Sequence, residues 1–143
     1  FQLSPVLLVW GVLFFVSGYA LYASFMAAAG ALAPNLREAS QVTFLVMVPM
    51  ILPLMMIGAL SQNPDGALSV GLSLFPLTAP VAMMARMAAT EVPLWQGVLS
   101  LGLVILSAVL AVRWVGGLFR TQTLLSGQAF NVKLFLRALV GKA

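Results

Sequence analysis

The chain has 143 residues, 62% hydrophobic and 7% charged, with seven Lys or Arg against three Asp or Glu and a mean hydropathy of +1.10. A soluble domain carries about 25% charged residues, so this composition belongs to an integral membrane protein. Cysteine and histidine are both absent, which removes thiol nucleophiles, disulfides, imidazole bases and the usual zinc and haem ligands, and no enzymatic set of acid, base and nucleophile can be assembled.

Each span needs roughly 20 apolar residues, so there is room for three or four. The chain opens on Phe1, and neither a basic n-region nor a small-residue cleavage site precedes the first apolar run, so nothing reads as a signal peptide. Without an initiator methionine the chain is expected to be processed or a fragment of a longer protein. The first span is read over about 6–33 with no charge. As a helix it would be about 42 Å long, more than the roughly 30 Å hydrocarbon core, and it should tilt or project. Small residues recur four apart at Ala23, Ala27 and Ala31, and at Ala20, Ser24 and Ala28, a pattern that permits close approach of a neighbouring helix. The hydroxyls of Tyr19 and Tyr22 could contact a substrate, but bonding to a neighbouring helix is the commoner use.

Pro34 to Gln41 interrupts the apolar sequence with a proline and the pair Arg37 and Glu38, and it reads as a water-side loop. A second span follows over about 42–60, in which Pro49 and Pro53 lie one turn apart. Such a pair kinks a helix and frees carbonyls that must find partners or line a wet path. Ser61-Gln62-Asn63-Pro64-Asp65-Gly66 closes it as a turn.

The stretch from about 67 to 92 is apolar enough for a bilayer, yet it carries Pro76 and Pro80. Each proline removes a backbone donor and clashes with the preceding turn, so one unbroken helix is not expected. A membrane segment of this kind has to dip in and turn back or line a cavity. Arg86 and Glu91, on its return limb, read first as interfacial charges snorkelling to water, and second as an ion pair or cavity lining. The last span is placed at about 95–119, with Trp95 and Trp114 at opposite interfaces. After Arg120 a polar loop is expected, then an interfacial amphipathic helix. In that helix Val132, Phe135, Leu136, Leu139 and Val140 share one face, and Lys133 and Arg137 lie on another.

Charge decides between three and four crossings. Arg113, Arg120, Lys133, Arg137 and Lys142 all follow or end the last span, so the C-terminus is expected in the cytoplasm. Four crossings would put Arg37 outside, opposite this basic tail, whereas a re-entrant hairpin gives three crossings and keeps Arg37 on the tail's side. The expected fold is therefore all-α and multi-pass: three transmembrane helices, a re-entrant helical hairpin and a C-terminal interfacial helix, in a single region over 1–143 with a cytoplasmic tail over 120–143. Lys133, Arg137 and Lys142 suit anionic membrane lipid. Seven basic residues distributed as topology demands give no argument for nucleic acid.

In this order the residues resemble a known family. The features are Leu36-Arg37-Glu38-Ala39-Ser40-Gln41, the proline-bearing span, Asn63-Pro64-Asp65-Gly66, and Phe75-Pro76-Leu77-Thr78-Ala79-Pro80 followed by Met83-Met84-Ala85-Arg86. Val92-Pro93-Leu94-Trp95 and Leu118-Phe119-Arg120 complete the set. Over roughly residues 19–127 they look like the C-terminal half of an ABC type-2 exporter permease, in the branch that includes sodium-efflux permeases. The resemblance implies a six-span permease half that pairs with a second half and with cytoplasmic ATPase subunits. It implies that Arg37, Glu38 and Gln41 lie in the coupling contact to the ATPase, and that Pro76, Thr78, Pro80 and Arg86 belong to a hairpin capping the pathway. The first spans and the extracytoplasmic domain common in that branch are missing here.

No Gly-x-x-x-x-Gly-Lys-Ser/Thr sequence occurs, so this chain holds no P-loop, and no cofactor or metal is expected on it; ATP would bind a partner subunit. No carboxylate lies inside a clear span, which weakens a sodium-specific reading. Two functions from different classes follow: a transporting permease subunit, and a non-transporting structural subunit of a larger membrane complex.

Overall fold

A computed structural model describes residues 4–125, with side chains to Thr121. The described residues form six helices: α1 (Pro5–Leu32), α2 (Leu36–Met55), α3 (Ile57–Gln62), α4 (Ala67–Leu74), α5 (Ala79–Ala89) and α6 (Leu94–Leu125). α1, α2 and the Leu94–Thr121 part of α6 are each long and apolar enough to cross a membrane. The expected all-α architecture with three membrane helices is thus what forms. The amphipathic pattern over 132–140, with Lys133, Arg137 and Lys142, lies outside the described residues.

α1 begins where Ser4 caps it, its hydroxyl accepting from the Leu7 amide at 3.2 Å, with Pro5 at the first helical position. Proline is tolerated there because that amide has no intrahelical partner to lose. α1 packs along α6, and the two run parallel from the same end: near their starts the Trp10 ring lies close against Gly97, and further along Phe14 and Leu21 share one core with Val104, Ala108 and Ala111. On α6 the buried positions Gly97, Ser100, Val104, Ala108, Ala111 and Val115 repeat at steps of three and four, the spacing that keeps one seam against a partner helix. Small residues in that seam allow the close packing that drives helix association in lipid. The buried hydroxyls of Ser17, Ser24 and Thr121 donate to carbonyls four residues back, at 2.7, 2.7 and 2.9 Å. Every buried side-chain nitrogen and oxygen among the described residues has a hydrogen-bond partner, as an interior facing hydrocarbon demands.

α2 returns antiparallel to α1 and starts six residues earlier than the sequence reading placed it. Asn35 is the cause. Its side-chain oxygen accepts from the Glu38 amide at 2.9 Å, and its amide nitrogen donates to the Glu38 carboxylate at 3.1 Å. Together they form a reciprocal cap that turns Leu36 to Gln41 from a loop into the first turns of a helix. The expected single span over 42–60 is divided at Met56, just past Pro49 and Pro53. Pro53 cannot supply the amide its turn needs, and the helix ends within a turn of it before restarting as α3. At the other end of the chain α6 continues helically to Leu125, where a polar loop was expected after Arg120.

Between α3 and α6 the chain makes a hairpin of two short helices. α4 has 8 residues and α5 has 11, about 12 and 17 Å at 1.5 Å per residue, so neither can cross a 30 Å core. α5 runs antiparallel to α1. At the tip Pro80 abuts Gly18 and the Tyr22 hydroxyl donates to the Leu77 carbonyl at 2.6 Å; further on, Met84 approaches Gly11; near the mouth Met87 approaches Gly97. Tyr22 lies about 27 Å along α1 from Ser4. The hairpin tip therefore reaches well into the helical bundle, while both limbs open at the end where α1 and α6 begin. Ala79 and Met83 of the return limb are fully buried and complete the core between α1 and α6.

Candidate functional site

The turn between the two limbs is built from the prolines that disfavour a continuous helix. α4 stops at Leu74, two residues before Pro76, and Pro80 sits in the first turn of α5, where its missing amide costs nothing. Thr78 closes the turn: its hydroxyl lies 2.5 Å from the Leu72 carbonyl and 3.2 Å from the Phe75 carbonyl, and its amide donates to Phe75 at 3.1 Å. Gly18 lets α1 approach this turn, because a Cβ there would meet Pro80 Cγ at 2.9 Å. The Tyr22 hydroxyl thus bonds a neighbouring segment, the turn between α4 and α5, where a bond to a neighbouring helix was expected. Tyr19 instead is exposed and stacks on Phe15, with ring centroids 6.3 Å apart.

Arg86 corrects the sequence reading. Expected to snorkel to water, it is fully buried, with 0% of its side chain exposed. Its Nε donates to the Pro64 carbonyl at 2.6 Å, one terminal nitrogen to Ser73 Oγ at 2.7 Å, and the other to Gln96 Oε1 at 3.0 Å and Asp65 Oδ1 at 3.3 Å. Helical side chains lean toward the N-terminus of their helix, which carries the guanidinium from the last turns of α5 back between α4, α6 and the α3–α4 loop. A buried ion of this size is tolerated only when its donors are met. Here the fork geometry of arginine meets four acceptors from three other segments, which lysine could not reproduce.

Two further bonds extend the network. Ser100 donates to the Ser73 carbonyl at 2.5 Å, and Ser69 donates to the Asn63 carbonyl at 2.7 Å. Asp65 is the acidic partner, but its side chain is 71% exposed. Most of the clasp is therefore hydrogen bonding to a buried cation, with the ion pair a smaller part. Glu91 does not take part; it is exposed beyond the end of α5.

Sequence reasoning missed Pro64, Ser73, Gln96 and Ser100 as partners. A signal for them existed: Ser69 and Ser73 on α4, and Gln96 and Ser100 on α6, are polar pairs four residues apart in otherwise apolar helices, the spacing that places both on one face.

Arg37, Glu38 and Gln41 lie elsewhere. All three are exposed on the first turns of α2, at the end of the bundle opposite the hairpin's mouth. The structure thus brings Pro76, Thr78, Pro80 and Arg86 together in one hairpin and keeps Arg37, Glu38 and Gln41 as a separate group. Arg113 and Arg120, exposed on the second half of α6, lie toward the Arg37 end. Trp95 and Trp114 are exposed and about 28 Å apart along α6, close to the thickness of a hydrocarbon core.

The chain is 28% identical over 141 residues to the uncharacterized protein MJ1024 of Methanocaldococcus jannaschii, covering 99% of this chain and 35% of that protein. It is 25% identical over 139 residues to the uncharacterized protein YhaP of Bacillus subtilis, covering 96% of this chain and 33% of that protein. The chain thus spans about a third of the length of these relatives. No solved structure matches it. A family model described as ABC-2 family transporter protein matches residues 1–114, a stretch that holds α1 to α5 and most of α6. With its three apolar helices and its clasped hairpin, the chain belongs to the ABC-2 family of membrane transporter proteins.

Proposed function

We propose that this chain forms part of the translocation pathway of an ATP-driven, ABC type-2 exporter, in which a partner subunit binds and hydrolyses ATP. The observation that carries the reading is the separation of two sets of residues by the length of α1. A hairpin too short to cross the membrane opens at one end of the bundle, and the capped, charged start of α2 stands at the other. An exporter needs such a division, with energy entering at one face and passage controlled at the opposite one. These 143 residues carry no P-loop sequence, so in this reading a partner subunit supplies the energy.

In this proposal the end bearing Arg37, Arg113 and Arg120 faces the cytoplasm, as the distribution of basic residues favours, and the C-terminus lies there too. Arg37, Glu38 and Gln41 contact the ATPase. The α4–α5 hairpin is re-entrant from the outer face and caps the pathway, with Pro76, Thr78 and Pro80 shaping its tip and Arg86 holding its limbs to α6. A second permease half completes the pathway, so that the two alternate access between faces.

The test is isolation of the full-length protein from its native membrane. The expected result is a complex containing a nucleotide-binding chain whose ATPase activity falls when Arg37, Glu38 and Gln41 are all changed to Ala. An intact complex with no nucleotide-binding chain would contradict the proposal and leave a structural subunit as the reading.

A further inference from the structure

Beside the hairpin's mouth, between the first two turns of α1 and the segment joining α5 to α6, lies a cavity of about 500 Å³. It has the size of a small-molecule site. Leu7, Trp10, Met87 and Val92 supply apolar and aromatic wall, and Ser4, Thr90 and Glu91 supply the polar part. The charges around it are of one sign. Among the described residues at this end of the bundle, Arg86 is buried and paired with Asp65, which leaves Glu91 as a carboxylate with no hydrogen bond or ion pair to another described residue. The remaining described arginines, Arg37, Arg113 and Arg120, lie toward the far end.

We infer that this cavity binds an amphipathic organic cation, with its charged group against the Glu91 carboxylate and the Trp10 ring and its apolar body against Leu7, Met87 and Val92. An anion would meet an unneutralised carboxylate there, and a wholly apolar molecule would leave Glu91 unpaired under it. An indole ring and a carboxylate lining the same cavity favour an alkylated or aryl ammonium, because aromatic rings attract cations while their apolar bodies exclude water. The wall is sound enough to form a site: Trp10 stacks on Phe14 with centroids 6.0 Å apart, and its ring edge is fixed at close range by Gly97. The cavity's role as an exit vestibule rests on the export reading above; the binding itself does not.

The experiment is equilibrium binding of benzyltrimethylammonium to the purified full-length protein in lipid nanodiscs without nucleotide, with empty nanodiscs as the blank. Neopentylbenzene, the uncharged molecule of the same shape, is the comparison ligand. Saturable binding of the cation is expected, with neopentylbenzene at least tenfold weaker. Glu91→Gln should weaken the cation by about tenfold, the equivalent of roughly 1.4 kcal/mol. Glu91→Asp should restore much of the loss, and Trp10→Phe should weaken binding less than Glu91→Gln. Because Glu91 is exposed and makes no described contact, its replacement leaves the fold intact. No saturable binding, equal binding of the neutral molecule, or unchanged affinity in Glu91→Gln would each overturn the inference. No ATPase enters the measurement, so its outcome stands apart from whether the chain joins an exporter.

Discussion

Replacing Arg86 tests whether the clasp is held by hydrogen bonds to a buried cation or by its ion pair. Arg86→Met removes four donated bonds and leaves the Pro64 carbonyl and Gln96 Oε1 without them. Ser73 Oγ loses its incoming donor but keeps its own bond to the Val70 carbonyl at 2.9 Å. Removing one member of a buried, bonded charge group costs about 3–5 kcal/mol, and we expect Arg86→Met to fall in that range. Arg86→Lys should recover only part, since an ammonium cannot span the four acceptors. Asp65, at 71% exposure, contributes as surface pairs do, so Asp65→Asn should cost below about 1 kcal/mol. The assay is reversible unfolding of the full-length protein in phospholipid and dodecyl sulfate mixed micelles, run as a double-mutant cycle on positions 86 and 65. A loss in Asp65→Asn equal to that in Arg86→Met, or no loss in Arg86→Met, would refute the reasoning.

At the hairpin tip, Gly18→Ala places a methyl 2.9 Å from Pro80 Cγ, a ring atom that cannot rotate away. The same unfolding assay should show a cost of about 1–3 kcal/mol, whereas Gly30→Ala, at a position with open space around it, should be neutral or stabilising. Tyr22→Phe deletes the bond to the Leu77 carbonyl and should cost about 1 kcal/mol, with faster amide exchange confined to residues 75–80. Asn35→Ala should cost about 1 kcal/mol and fray the start of α2, seen as faster exchange of the Glu38 and Ala39 amides, with the hairpin unaffected.

Composition and proline placement make most of the fold legible in the sequence. The three long apolar runs become helices because an apolar backbone in lipid has no other way to satisfy itself, and Pro76 and Pro80 mark the turn because a proline amide cannot bond. Boundaries set by side chains are harder to read. Asn35 and Glu38 look like a polar loop until their reciprocal bonds are seen, and the split at Met56 depends on how two prolines are absorbed. Arg86 shows the deeper limit. A lone arginine near a helix end has the same local sequence whether it snorkels or is buried, and only the folded partners from residues 64, 73 and 96 decide it. Those partners come from segments far apart in the chain, so no window around residue 86 contains them.

The most direct test of the account is the sidedness of the hairpin. None of these 143 residues is cysteine, so Gln62→Cys, Glu91→Cys and Arg37→Cys variants, made in the full-length protein with any cysteine outside this stretch replaced by serine, each carry one reporter for a membrane-impermeant maleimide. The account expects positions 62 and 91 to react from the outer face of intact cells and position 37 to react only after the membrane is opened. Labelling of 62 and 91 from opposite faces would mean that residues 67–92 cross the membrane, and would contradict the hairpin on which the permease reading depends.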